Sequence, residues 1–188
     1  YNDLKIIKNI PDIEELNCRH NKIEDIEYLK YIRKLERLDI TENNITVLPK
    51  MQRLKILECG YNDIRCVIGY KSMERLIADN NKIVLLEKLD NLKTLDVSKN
   101  RLEELSKSDY LTYLVCDDNK LTNIPKYSKL THLSITGNDI KYIPYCKNLL
   151  DLICDYNDIS ISPRYRVKSH EIATYKKYKI STIQFNVK

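Results

Sequence analysis

The chain has 188 residues, 43% of them hydrophobic and 31% charged, with a formal net charge of +5. That length suits one domain with an apolar core, and the charge is too small to name a partner. With three glycines and no GxGxxG or GxxxxGK[ST] string, the usual phosphate-cradling loops are excluded, and no apolar run reaches the ~20 residues that span a bilayer.

In chain order, one string dominates: Leu-x-x-Leu-x-(Cys/Ile/Val/Ala)-x-x-Asn-x-(Ile/Leu). Its asparagines are Asn21, Asn43, Asn62, Asn81, Asn100, Asn119, Asn138 and Asn157, spaced 22 residues apart once and then 19. Nineteen residues before Asn21 stands Asn2, with Leu4 and Ile7 in register. The chain therefore opens inside a repeat, which predicts sequence upstream of Tyr1. The fourth position is leucine in all eight copies: Leu16, Leu38, Leu57, Leu76, Leu95, Leu114, Leu133 and Leu152. A lone repeat cannot bury its leucines, whereas stacked neighbours can. The 22-residue repeat has room for a helical turn around Asp25–Lys34. The 19-residue repeats leave room only for extended or one-turn 3₁₀ segments. Pro49, Pro125, Pro144 and Pro163 share one column six residues past the asparagine, where fixed φ suits a turn. Beyond Pro163 the period stops. Ser169–Lys179 is expected to form a short helix with Ser169 as N-cap, and Ile183, Phe185 and Val187 alternate as in a strand. Residues 1–163 are thus read as the repeat solenoid and 164–188 as a C-terminal cap over its last repeat.

This pattern resembles the leucine-rich-repeat family, with short repeats similar to those of bacterial effector and internalin-type proteins. The resemblance implies an α/β-type repeat solenoid that is mostly β and loop. It would be curved and right-handed, with a parallel concave sheet, about nine repeats and a protein-binding concave face. The asparagine at each turn should bond backbone groups of that turn and of the next repeat, forming a structural ladder.

The register also disposes of the cysteines. Cys18, Cys59, Cys116 and Cys154 share the inward sixth column with Ile40, Ala78, Val97 and Ile135, and Cys146 falls in a convex apolar column. None of those four lies in adjacent repeats. Two repeats are ~10 Å apart, beyond the ~7 Å a disulfide spans. All six cysteines, including the partly exposed Cys66, are expected to be reduced. That predicts an intracellular, cytoplasmic setting, the host cytoplasm if the source is a pathogen. No CxxC spacing points to a metal. His20 and His132 stand six repeats apart, ~29 Å at strand spacing. No catalytic constellation, cofactor or metal is predicted, and the chain is read as a non-enzyme.

Positions three, five, seven and eight of the motif should face outward on the concave side. Together they hold 10 acids and 4 bases, whereas Arg164–Lys188 holds 7 bases and 1 acid. The candidate partner-binding set is Arg37, Asp39, Ile56, Glu58, Arg75, Ile77, Asp79, Asp96, Tyr113, Val115, Asp117, His132, Ile153, Asp155 and Tyr156. An acidic face carrying aliphatic and tyrosine anchors fits a protein or a basic, amphipathic peptide. The expected function is a non-catalytic, monomeric protein-interaction module with no membrane span. The alternatives are a substrate-recognition arm of a larger effector or ubiquitin-ligase-type protein, and binding of nucleic acid or an anionic surface through the basic tail. Nucleic acid is disfavoured, because a lysine face on a cap helix is ordinary.

Overall fold

The computed structural model describes residues 3–8, 10–161 and 183–184. The motif strands form three-residue elements: β1 (Glu15–Asn17), β2 (Arg37–Asp39), β3 (Ile56–Glu58), β5 (Arg75–Ile77), β7 (Thr94–Asp96), β8 (Tyr113–Val115), β9 (His132–Ser134) and β11 (Asp151–Ile153). They pair in parallel in that order, one strand from each repeat. The leucine column pairs with itself throughout, from Leu16↔Leu38 to Leu133↔Leu152. A ninth strand, β13 (Ile183–Gln184), closes the far edge antiparallel to β11, with Ile183 opposite Leu152. The expected helix over Ser169–Lys179 and the rest of the cap, His170, Pro163 and Asn2 lie outside the described residues.

Convex segments are extended, as a 19-residue repeat requires. Among the described residues, two short parallel pairs occur there. One joins β4 (Cys66–Val67) to β6 (Leu85–Leu86), and the other joins β10 (Tyr142–Ile143) to β12 (Ser160–Ile161). At the level of sequence these pairs are indistinguishable from plain extended chain. The three extra residues of the long repeat support a 3₁₀ turn over Glu27–Tyr31, inside the expected Asp25–Lys34 window. Asp25 Oδ1 accepts the Glu27 N–H at 2.8 Å, and Leu29 anchors the turn in the core.

The core runs the length of the stack. Leu38, Leu57, Leu76, Leu114, Leu133 and Leu152 are fully buried, as are Ile40, Cys59, Ala78, Val97, Cys116 and Ile135. All six cysteines are free, and five are buried, with Cys66 half-buried. Tyr70 and Tyr127 fill the convex apolar column. Each phenol donates to a carbonyl of the preceding repeat, Tyr70 to Pro49 O at 2.7 Å and Tyr127 to Ser106 O at 3.1 Å.

The asparagine ladder exists but points the other way from expectation. Asn100 Oδ1 accepts the Ile83 N–H at 2.8 Å, and its Nδ2 donates to Ala78 O, Val97 O and Ser98 O at 2.9–3.1 Å. Ile83 and Ala78 belong to the preceding repeat, not the next. Asn43, Asn62, Asn81, Asn119, Asn138 and Asn157 likewise reach back to a preceding-repeat N–H and carbonyl, for example Ile23 N and Cys18 O for Asn43. Asn21 accepts from Leu4 N at 3.2 Å. The physical reason is the turn itself. The residue before each asparagine is left-handed, so the amide side chain swings under the turn toward the previous coil. Those residues are His20, Glu42, Tyr61, Asn80, Lys99, Asp118 and Tyr156, with φ of 51–57°, and Gly137, with φ 65°.

Candidate protein-binding face

Because the strands stack in register, equal motif positions form rows across the sheet. The third-position row begins Glu15, Arg37, Ile56, Arg75 and continues Thr94, Tyr113, His132, Asp151. The Tyr113 and His132 rings stack, with centroids 4.4 Å apart and planes 7° from parallel. His132 Nδ1 lies 3.8 Å from Asp151 Oδ2, so three successive strands carry one polar–aromatic run. Asp151 is the residue the candidate set lacked. Its place in the column of Tyr113 and His132 was the available signal. Toward the other end, Glu58 sits between two arginines, 4.0 Å from Arg37 Nη2 and 3.6 Å from Arg75 Nε.

The fifth-position row holds Asp39, Glu58, Ile77, Asp96, Val115, Ser134 and Ile153. Ile77, Val115 and Ile153 are half-buried and present part of their surface to solvent. Asp39 departs from the outward expectation: it is only 6% exposed. It accepts the Thr41 N–H at 3.1 Å, and Arg19 Nε lies 3.6 Å away, so its neighbours close over it. Ser134, at 3% exposure, is covered in the same way.

Several carboxylates of the candidate set are engaged within the sheet. Asp96 accepts from Ser98 N–H and Oγ at 3.0 and 2.8 Å. Asp117 accepts from Ser134 Oγ at 2.7 Å and from Thr136 N–H at 2.8 Å. Loss of solvation still holds the Asp117 carboxyl above its ordinary value, outweighing those two bonds, with Asp118 and Asp96 adding repulsion. Asp79 accepts from Asn80 Nδ2 at 2.7 Å and occupies the space a side chain at Gly60 would need. Asp155 is raised by loss of solvation, and its buried Oδ1 has no hydrogen-bond partner among the described residues. The exposed aromatic members of the set are Tyr113, at 41%, and Tyr156, at 70%, and Arg37 and Arg75 are exposed as well.

The candidate residues therefore divide. Tyr113, Val115, His132 and Ile153 stand on the C-terminal strands β8, β9 and β11, with Tyr156 in the turn after β11. Arg37, Ile56, Glu58 and Arg75 form a separate region, in which one carboxylate partly offsets two guanidinium groups. Among the described residues, no group of three or more His, Cys, Asp and Glu side chains could hold a metal ion. His20 bonds Glu42 Oε2 at 2.7 Å, at the opposite end of the sheet from His132. Among the described residues, no helix is long and apolar enough to cross a membrane.

A family model described as Leucine Rich repeat matches residues 31–47 and 128–142. By sequence, no curated protein matches the chain. Among solved structures, a leucine-rich-repeat protein of Leptospira interrogans is 24% identical with a TM-score of 0.73, over 91% of this chain and 50% of that one. The leucine-rich-repeat domain of a Shigella effector is 21% identical with a TM-score of 0.70, over 88% of this chain and 76% of that one. YopM from Yersinia enterocolitica is 21% identical with a TM-score of 0.66, over 84% and 41%. The chain thus spans half the length of the Leptospira protein and less than half of YopM. The fold is a leucine-rich-repeat solenoid.

Proposed function

We propose that this leucine-rich-repeat solenoid is a non-catalytic interaction module that binds a partner protein or peptide, basic or amphipathic, on its concave sheet face. The fold is a common scaffold for protein–protein interaction. The observation that carries the reading is the clustering on β8, β9 and β11 of exposed Tyr113, half-buried Val115 and Ile153, and a surrounding run of carboxylates. Rigid aromatic and aliphatic groups on a sheet make desolvated anchors at little entropic cost. The carboxylates select a basic partner and speed its approach. The six free thiols are in keeping with a reducing compartment, and we place the module there as a monomer.

Asp117 is a poor probe of this face, because its bonds to Ser134 and Thr136 tie two strands together. Tyr113→Ala combined with Asp151→Lys removes an exposed ring and reverses an exposed charge without touching the core. This variant should keep the parent melting temperature and lose capture of the partner from source-cell extract. A convex variant, Lys126→Glu with Lys129→Glu, should still capture it. The reverse pattern would move the site to the convex surface.

A second reading, a recognition arm of a larger effector, is favoured by the likeness to the Shigella effector domain and by the share of the longer proteins this chain spans. It would use the same face.

A further inference from the structure

The sheet carries a period longer than the repeat. Leu76-Ile77-Ala78-Asp79, Leu114-Val115-Cys116-Asp117 and Leu152-Ile153-Cys154-Asp155 are one strand type. Leu95-Asp96-Val97-Ser98 and Leu133-Ser134-Ile135-Thr136 are another, and the two types alternate. The strand pairing turns this into geometry, because Ile77, Asp96, Val115, Ser134 and Ile153 stand side by side across β5, β7, β8, β9 and β11. From β5 to β11, every second strand thus presents a half-buried β-branched aliphatic, with an aspartate two residues further along the chain.

Neighbouring strands lie about 4.7–4.9 Å apart, so the aliphatics recur about every 9.4–9.8 Å. A ligand lying across the strands meets all three only if its own side chains return to one face at that distance. An extended strand returns after two residues, about 6.6 Å, and then at about 13.2 Å, so it misses the middle contact. An α-helix returns after seven residues, about 10.5 Å. A polyproline-II helix returns after three residues, about 9.3 Å. Side chains on the inner side of a curved sheet converge toward their tips, which shortens the target spacing and worsens the α-helix misfit further.

The remaining features of the face agree with the three-residue period. Asp79, Asp117 and Asp155 recur on the same alternate repeats, so one further position of each ligand triplet lies beside a half-buried carboxylate, whose charge acts at short range even where its oxygens already accept bonds within the sheet. Tyr113, two residues before Val115 on β8, and Tyr156, three residues past Ile153, flank the rows with exposed rings. Exposed aromatics that pack on prolines and reach solvated peptide carbonyls are what polyproline-II ligands use. Glu58 compensates Arg75 at 3.6 Å, which limits repulsion of a basic ligand at the start of the row.

We propose that β5 to β11 bind a polyproline-II segment whose three-residue repeat supplies one aliphatic and one basic side chain, laid across the strands. This rests on the concave-face reading above and specifies the conformation and period of what binds there.

Three labelled peptides of equal charge test it by fluorescence anisotropy at low and at high salt. The first is four Val-Lys-Pro triplets, the second alternating Val and Lys, and the third an amphipathic helix with Val at every seventh position. The triplet peptide should bind at least about ten-fold more tightly than either other, and salt should weaken it. Val115→Ser should lower its affinity by about ten-fold or more, whereas Ile56→Ser, on the same face but outside the period, should not. Thermal melts of both variants establish that they fold. If Val115→Ser does not fold, Tyr113→Ala, on the same strand, takes its place. Tighter binding by the helical or the alternating peptide, still sensitive to Val115→Ser, would overturn the polyproline-II assignment and leave the concave-face reading standing. Triplet binding that ignores both Val115→Ser and Tyr113→Ala would overturn both. No binding by any of the three would overturn the inference, with the concave-face reading then judged by the Tyr113→Ala, Asp151→Lys variant.

Discussion

At the scale of single residues, buried side chains earn their place by what they bond. Asn100 serves four backbone groups at once, and its Oδ1 is the acceptor for the buried Ile83 N–H. Asn100→Ala should therefore cost about 1–3 kcal/mol for each buried group left without a partner. Asn21 is half-buried and accepts from the exposed Leu4, so Asn21→Ala should cost markedly less. Denaturant melts of the two variants compare them directly, and equal losses would contradict the ladder. Asp117 presents the opposite case. Its folded-state carboxyl is held above the ordinary 3.8, so the fold favours the protonated form. The associated stability is fully present below 3.8 and is lost as pH rises through the raised folded value. At neutral pH the ionised carboxylate is a cost. Asp117→Asn keeps an acceptor for the Thr136 N–H and removes the charge. Its melting temperature at pH 7 should be no lower than the parent's, and the fall in stability just above pH 3.8 should shrink. A steeper fall would refute this account.

At the scale of the repeat element, the informative position is the left-handed residue before each asparagine. Seven side chains other than glycine occupy it at φ near 50–57°. L-residues disfavour that region by roughly 1–2 kcal/mol, and glycine does not. Lys99, with φ 54°, is exposed. Lys99→Gly should raise stability by up to about 1 kcal/mol, and β-branched Lys99→Val should lower it, since branching at Cβ is worst in this region. Matched urea titrations give both signs. A loss with glycine would mean that the lysine side chain contributes contacts that outweigh the strain. Along the edge of the same elements, Glu36 pairs with Lys55 and Glu74 with Lys93, both at 2.7 Å. Hydrogen bonding and charge from Lys93 hold the Glu74 carboxyl below its ordinary range, with Lys55 adding to it. These exposed pairs add little to stability and keep the edge polar.

At the scale of the whole molecule, stability is a sum over neighbours. Because each asparagine bonds the coil before it, the ladder locks repeats in one direction along the stack. The cysteines report on that packing. Burial pushes the Cys18, Cys59 and Cys116 thiols up, and Cys66 alone is half-buried. A thiol reagent at neutral pH should therefore label Cys66 first and all six only after denaturation. Mass spectrometry of a labelling time course reads this out. Rapid labelling of Cys59 or Cys116 in the native state would mean that the stack opens.

The solenoid is legible in the repeat pattern alone. A leucine every repeat, an asparagine every turn and a 19-residue period admit one arrangement, because only stacked coils bury that many leucines, and the same register placed every cysteine but Cys66 inside and Tyr113 and Tyr156 outside. What only the tertiary structure decided depends on contacts between coils, which a one-dimensional pattern does not encode. The asparagines reach backward because the left-handed turn residue aims them. Asp39 and Ser134 are covered because neighbours in adjacent coils close over them. Asp96 and Asp117 spend their charge on serine and threonine donors, one within its own turn and the other across coils. The pairing of Ile77, Val115 and Ile153 into a single row at every second strand likewise became a spacing in space, rather than in residues, only once the strands lay side by side.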